Sequence, residues 1–136
     1  MNINKKYEKY TWKQEYETGV MFIDHFHENF MNLTNTLIDV VYNKECAEKI
    51  IMVFHRLANY IEDYLVKEEM YLQKIGFQGF MEHKAEHKAF IKEIISFQEA
   101  YEKHENICLN LLIYVDNYFK NHILSGDKKA VKMEIS

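Results

Sequence analysis

Residues 20–42 read VMFIDHFHENFMNLTNTLIDVVY. Val20, Ile23, Phe30, Thr34, Leu37 and Val41 recur at steps built from three and four, the period of an amphipathic helix that presents one seam to a core. The position that completes the series between Ile23 and Phe30 is His27. The segment therefore predicts a helix from about Val20 to Tyr42 with an ionisable residue in register on its apolar seam.

The same reading extends along the chain. Proline is absent and glycine occurs only at 19, 76, 79 and 126, so long helices are allowed and the glycines mark where they end. A second helix, from about Cys46 to Ile75, carries Ile50, Phe54, Leu57, Ile61, Tyr71 and Ile75. A third, from about Phe80 to Lys103, carries Phe90, Ile94, Phe97 and Tyr101. A fourth, from about Ile107 to Leu124, carries Leu111, Val115 and Tyr118. Short connections between helices of similar length predict an all-α, antiparallel up-down-up-down four-helix bundle. Residues 1–18 form an N-terminal arm, with Trp12 and Tyr16 expected to pack on the bundle spanning 20–127.

A chain of 136 residues, 48% hydrophobic and 28% charged, fits one domain with a sizeable core. No apolar run approaches 18 residues and the N-terminus lacks a hydrophobic leader, so a cytoplasmic protein with no membrane partner is expected. Net charge is −4 without a long run of either sign, which removes the electrostatic case for nucleic acid. Cys46 and Cys108 have no CxxC or CxxH spacing and are read as buried or idle thiols rather than a disulfide or a thiolate metal site.

Extending each seam in register places His27 on the first helix, Glu68 on the second, His83 and His87 on the third, and His122 on the fourth. Burying unpaired polar groups costs a few kcal/mol each, roughly, and charges more, so a cluster of them in one core needs a partner, and a metal ion supplies one. His83 and His87, in MEHKAEHKAF, stack one turn apart on one face, suited to two imidazoles on one ion. His25 points about 200° away from His27 onto a polar stripe. His55 and His104 also read as surface. Asp127, five residues after His122, would lie about 140° away on a regular helix. Gly126 could end the helix and swing Asp127 back; alone, it reads as a polar residue in a frayed tail.

This ordered set resembles the hemerythrin family in its single-domain bacterial form. The stretches that carry the resemblance are WKQEYETGVMFIDHFH, YIEDYLVKEE, HKAEHKAF and YFKNHILSGD, with the 15-residue step from Glu68 to His83. The resemblance implies two iron ions bridged by a glutamate, an aspartate and an oxygen atom. His83, His87 and His122 would then bind one iron, Glu68 and Asp127 would bridge, and His27 would hold the second. In the family that second iron keeps an open position for dioxygen. Its remaining histidine belongs at position 64, where this chain has tyrosine. Nearby, the family's glutamine before the first histidine is Phe26, and the leucine that lines its oxygen pocket is Phe119. A proline common between the second and third helices is also missing.

Tyr64 has two readings. It is a core residue whose hydroxyl bonds Glu68 one turn on, or it binds iron as phenolate after the metal displaces its proton. Ligation is favoured, because a half-built site strands His27 and Asp127. An anionic phenolate stabilises ferric iron, so the expectation is a diiron protein that binds dioxygen or a related small molecule with altered reversibility. The alternative is a diiron oxidase, peroxidase or nitric oxide-handling enzyme at the same site. A plain helical module without metal is a third reading. Zinc fits the donor set less well than a pair of irons.

Overall fold

The computed structural model describes residues 7–127; for Gly126 and Asp127 it describes the backbone alone. Four long helical segments carry the fold. They are α1 (Met21–Tyr42), α2 (residues 46–74), α3 (Phe80–Glu102) and α4 (residues 108–127). Among the described residues there is no strand. The segments form the expected antiparallel four-helix bundle, with α1 packed against both α2 and α4 and the C-terminal part of α2 against α3.

Helix ends follow a shared rule. Lys44, Gly76 and His104 each adopt positive φ, at 58°, 73° and 65°. In each case the next N–H returns to the carbonyl five residues back: Glu45 to Val40 at 2.9 Å, Phe77 to Leu72 at 3.0 Å and Glu105 to Ala100 at 3.1 Å. This is the left-handed cap that satisfies last-turn carbonyls. It gives His104 a structural place as an exposed cap residue. The start of α1 is fixed by Asp24, which accepts from Thr18 N–H and Oγ1, both at 2.8 Å, and from Gly19 N–H at 3.2 Å. Gly19 takes a φ of 90°, which disfavours any side chain there.

The core contains Ile23, Phe30, Leu37, Ile50, Leu57, Phe90, Ile94, Leu111 and Val115, as the seams require. Two departures have one cause. Residues Tyr60–Leu65 in α2 and Phe119–Asp127 in α4 wind as π-helix, and i→i+5 hydrogen bonding slows the rotation of the chain about the axis. In α2 the buried positions therefore run Leu57, Tyr60, Tyr64, Glu68 and Leu72, while Ile61, Tyr71 and Ile75 are only half-buried. In α4 the helix continues through Gly126, so the break expected there does not occur. Asp127 instead stands about one π turn beyond His122. The side chain of Asp127 lies outside the described residues.

The cysteines correct the expectation of idle thiols. Cys46 and Cys108 form a disulfide with Cα atoms 6.1 Å apart, within the span a disulfide bridges. They open α2 and α4, whose N-termini share one end of an up-down-up-down bundle. They stand 62 positions apart in sequence, so only the tertiary topology brings them together. No local spacing signals it.

Among the described residues of the arm, Tyr10, which the sequence did not single out, ties it to the bundle. Its hydroxyl donates to Asp116 Oδ1 at 2.6 Å, its backbone exchanges hydrogen bonds with Asn35, and its ring meets Phe119 edge-on at 4.9 Å. Burial and then the Asp116 hydrogen bond push its phenol well above the usual tyrosine range. Trp12 packs against the core and stacks edge-on with Tyr16 at 5.4 Å.

Candidate metal centre

The bundle brings Glu68 from α2, His83 and His87 from α3 and His122 from α4 to one buried point. One ligand atom from each lies within 4.8 Å of all the others. His83 Nε2 is 3.1 Å and His87 Nε2 3.0 Å from Glu68 Oε1, and His87 Nε2 is 3.1 Å from His122 Nε2. Donors bonded at about 2.0–2.1 Å to one ion stand roughly 3 Å apart, so the spacing is that of a coordination sphere.

Orientation carries the same message. His87 Nδ1 donates outward to Glu69 Oε2 at 2.8 Å, and His122 Nδ1 donates to Glu86 Oε1 at 2.9 Å. Those bonds select the tautomers in which both Nε2 atoms are acceptors aimed inward. Neither Nε2 then carries a proton for the other, and both stand beside a buried carboxylate. Lone pairs gathered in this way are stabilised by a cation. The ring of Tyr118, stacked on His122 at 4.6 Å, holds that imidazole in place.

Glu68 faces two ways. Its Oε1 meets the histidines, while its Oε2 accepts a hydrogen bond from the Tyr64 hydroxyl at 2.7 Å. The same hydroxyl is 2.9 Å from His27 Nε2. Tyr64, His27, Glu68 and His87 are wholly excluded from solvent. Tyr64 is held between Phe26, stacked at 5.0 Å, and Tyr60 at 5.2 Å. Of the residues singled out from sequence, His27 thus joins the cluster through Tyr64, and Phe119 packs on Phe30 and Tyr10. His25 and His55 are exposed, as read from their phase.

Glu69 and Glu86 were missed as orienting groups. Glu69 follows Glu68 directly, and Glu86 stands between the two histidines of α3 as one of several charges on an apparently solvated face. Their partners lie 18 and 36 residues away, so only the packed bundle reveals the pairing.

Fold and site together define an all-α bundle with a buried histidine and carboxylate cation site. The chain matches the hemerythrin HHE cation binding domain over residues 18–133, and it belongs to the hemerythrin family. It is 30% identical to a bacteriohemerythrin of Clostridium acetobutylicum over 90% of this chain and 98% of that one. It is 28% identical to a bacteriohemerythrin of Methylococcus capsulatus, covering 87% and 91% of the two chains. For a bacteriohemerythrin of Pseudomonas paraeruginosa the figures are 27%, 85% and 75%. No solved structure matches. No helix among the described residues is long and apolar enough to cross a membrane.

Proposed function

We propose that the protein is a non-haem diiron protein that binds dioxygen or a related small molecule, with reversibility altered by Tyr64. The observation that carries this is the two-sided Glu68, one oxygen toward three imidazoles and the other toward the Tyr64 hydroxyl and His27. In this reading His83, His87 and His122 hold one iron and Glu68 bridges, with Asp127 as second bridge. His27 and Tyr64 hold the other iron. The 2.9 Å between His27 Nε2 and the Tyr64 hydroxyl suits two donors on one ion. When bound, the iron pair supplies the electrons that reduce an oxygen-derived ligand.

Tyr64 contributes an anionic oxygen once its proton, now shared with Glu68, is released. That charge favours the ferric state, in which oxygen carriage fails. Phe26 stacks an apolar ring on that of Tyr64, where the family has a polar glutamine. These features favour sensing, or peroxide and nitric oxide chemistry, over reversible carriage. We place the protein in the cytoplasm.

Reduction without air followed by admission of oxygen tests this reading. The visible spectrum is expected to return to that of the oxidised protein without a persistent oxygenated band. A stable band that disappears under vacuum and returns with air would overturn it. The orienting carboxylates give an independent check: Glu69→Gln and Glu86→Gln are each expected to weaken metal binding by about tenfold or more. Competition against a chromogenic chelator measures this. Unchanged affinity in both variants would mean that the carboxylates do not set the imidazole tautomers.

A further inference from the structure

Beside Tyr64, whose ring meets those of Phe26 and Tyr60, α1 and α2 form a half-open pocket of about 360 Å³ lined by Phe26, Phe30, Leu33, Tyr60, Arg56 and Asp63, together with the exposed Asn29 and Asn59. Phe30 and Tyr60 are buried and form its floor, their rings 4.8 Å apart. Arg56 is half-buried and donates from Nη1 to Thr36 Oγ1 at 3.2 Å. Among the described residues no carboxylate forms an ion pair with it. Burial lowers its pKa from the usual arginine value. Asp63, exposed at the rim, also leaves Arg56 unpaired.

A planar guanidinium presents a fork that matches a carboxylate. Pockets of this size that combine aromatic walls with a few convergent polar groups suit small organic ligands. We propose that this cavity is a binding site for a small aromatic carboxylate carrying a hydroxyl on its far side, of the hydroxybenzoate class. The carboxylate pairs with Arg56, the ring lies against Phe26, Phe30 and Tyr60, and the hydroxyl donates to Asp63. Both Phe26 and Tyr60 are in ring contact with Tyr64, so an occupant sits one aromatic layer from the metal centre. The site goes beyond the iron reading and is independent of it, since every group that recognises the ligand lies outside the metal cluster.

Equilibrium dialysis of the full chain against 4-hydroxybenzoate, with and without iron, tests the site. Saturable binding is expected in both forms. Arg56→Leu is expected to weaken it at least tenfold, and Asn29→Trp, which fills the mouth and keeps the guanidinium, to weaken it comparably. 4-Hydroxybenzamide, which lacks the charge, is expected to bind at least tenfold more weakly. No saturable binding, binding undiminished in Arg56→Leu, or equal displacement by acetate would overturn the proposal. Because the metal-free arm decides it, loss of the diiron reading would leave the result interpretable.

Discussion

Tyr64→Phe is expected to abolish a phenolate-to-iron absorption band in the oxidised protein while leaving helix content unchanged. The ring is fully buried between Phe26 and Tyr60, so phenylalanine keeps its packing and the substitution removes only the oxygen. That oxygen stands 2.7 Å from Glu68 and 2.9 Å from His27, at the junction of the two halves of the cluster. If Tyr64 binds iron as proposed, its loss takes away an anionic donor that favours the ferric state, and the variant is expected to hold oxygen longer after reduction than the parent. A spectrum identical to the parent's would show that Tyr64 is a core residue whose hydroxyl hydrogen-bonds Glu68 and His27 without binding metal. Tyr64→His is the complementary change, and it is expected to move the protein toward reversible oxygen binding.

Glu68→Gln is the second substitution with a large expected effect. Glutamine has nearly the same shape, but it removes the charge that faces His83 and His87 through Oε1 and Tyr64 through Oε2. A carboxylate between two ions contributes to both, so metal affinity is expected to fall by more than about 100-fold, beyond the range typical of groups that only orient ligands. Chelator competition reads the loss, and circular dichroism of the metal-free variant separates it from unfolding. Wild-type affinity in this variant would remove Glu68 from the coordination sphere.

Much of the fold was legible because the chain lacks proline and uses few glycines. Each helix boundary read from sequence falls within a few residues of the observed one. The convergence of His27, Glu68, His83, His87 and His122 was legible for a related reason: each occupies a seam position where an apolar residue belongs. What stayed hidden depends on packing or on departures from the regular period. The π windings at Tyr60–Leu65 and Phe119–Asp127 change the phase of α2 and α4 without a sequence signal, so Gly126 was misjudged as a helix stop. The Cys46–Cys108 disulfide, the outward carboxylates Glu69 and Glu86, and the unpaired Arg56 all require knowing which helices lie side by side.

π turns are recurrent at functional sites, and here one carries Tyr64 while the other carries His122. Slower winding spaces the inward residues of α2 four apart, which brings Tyr64 and Glu68 onto one line facing α1 and α3. The distorted turns are therefore where the fold departs from an ordinary bundle in order to present donors.

The most direct test is a metal count on the purified full chain, taken with the visible spectrum of its oxidised form. The proposed diiron reading predicts about two irons per chain, as a bridged pair requires, with absorption from phenolate bound to ferric iron. A protein that takes up no iron under reconstitution, or holds a single zinc ion in its place, would contradict the diiron centre.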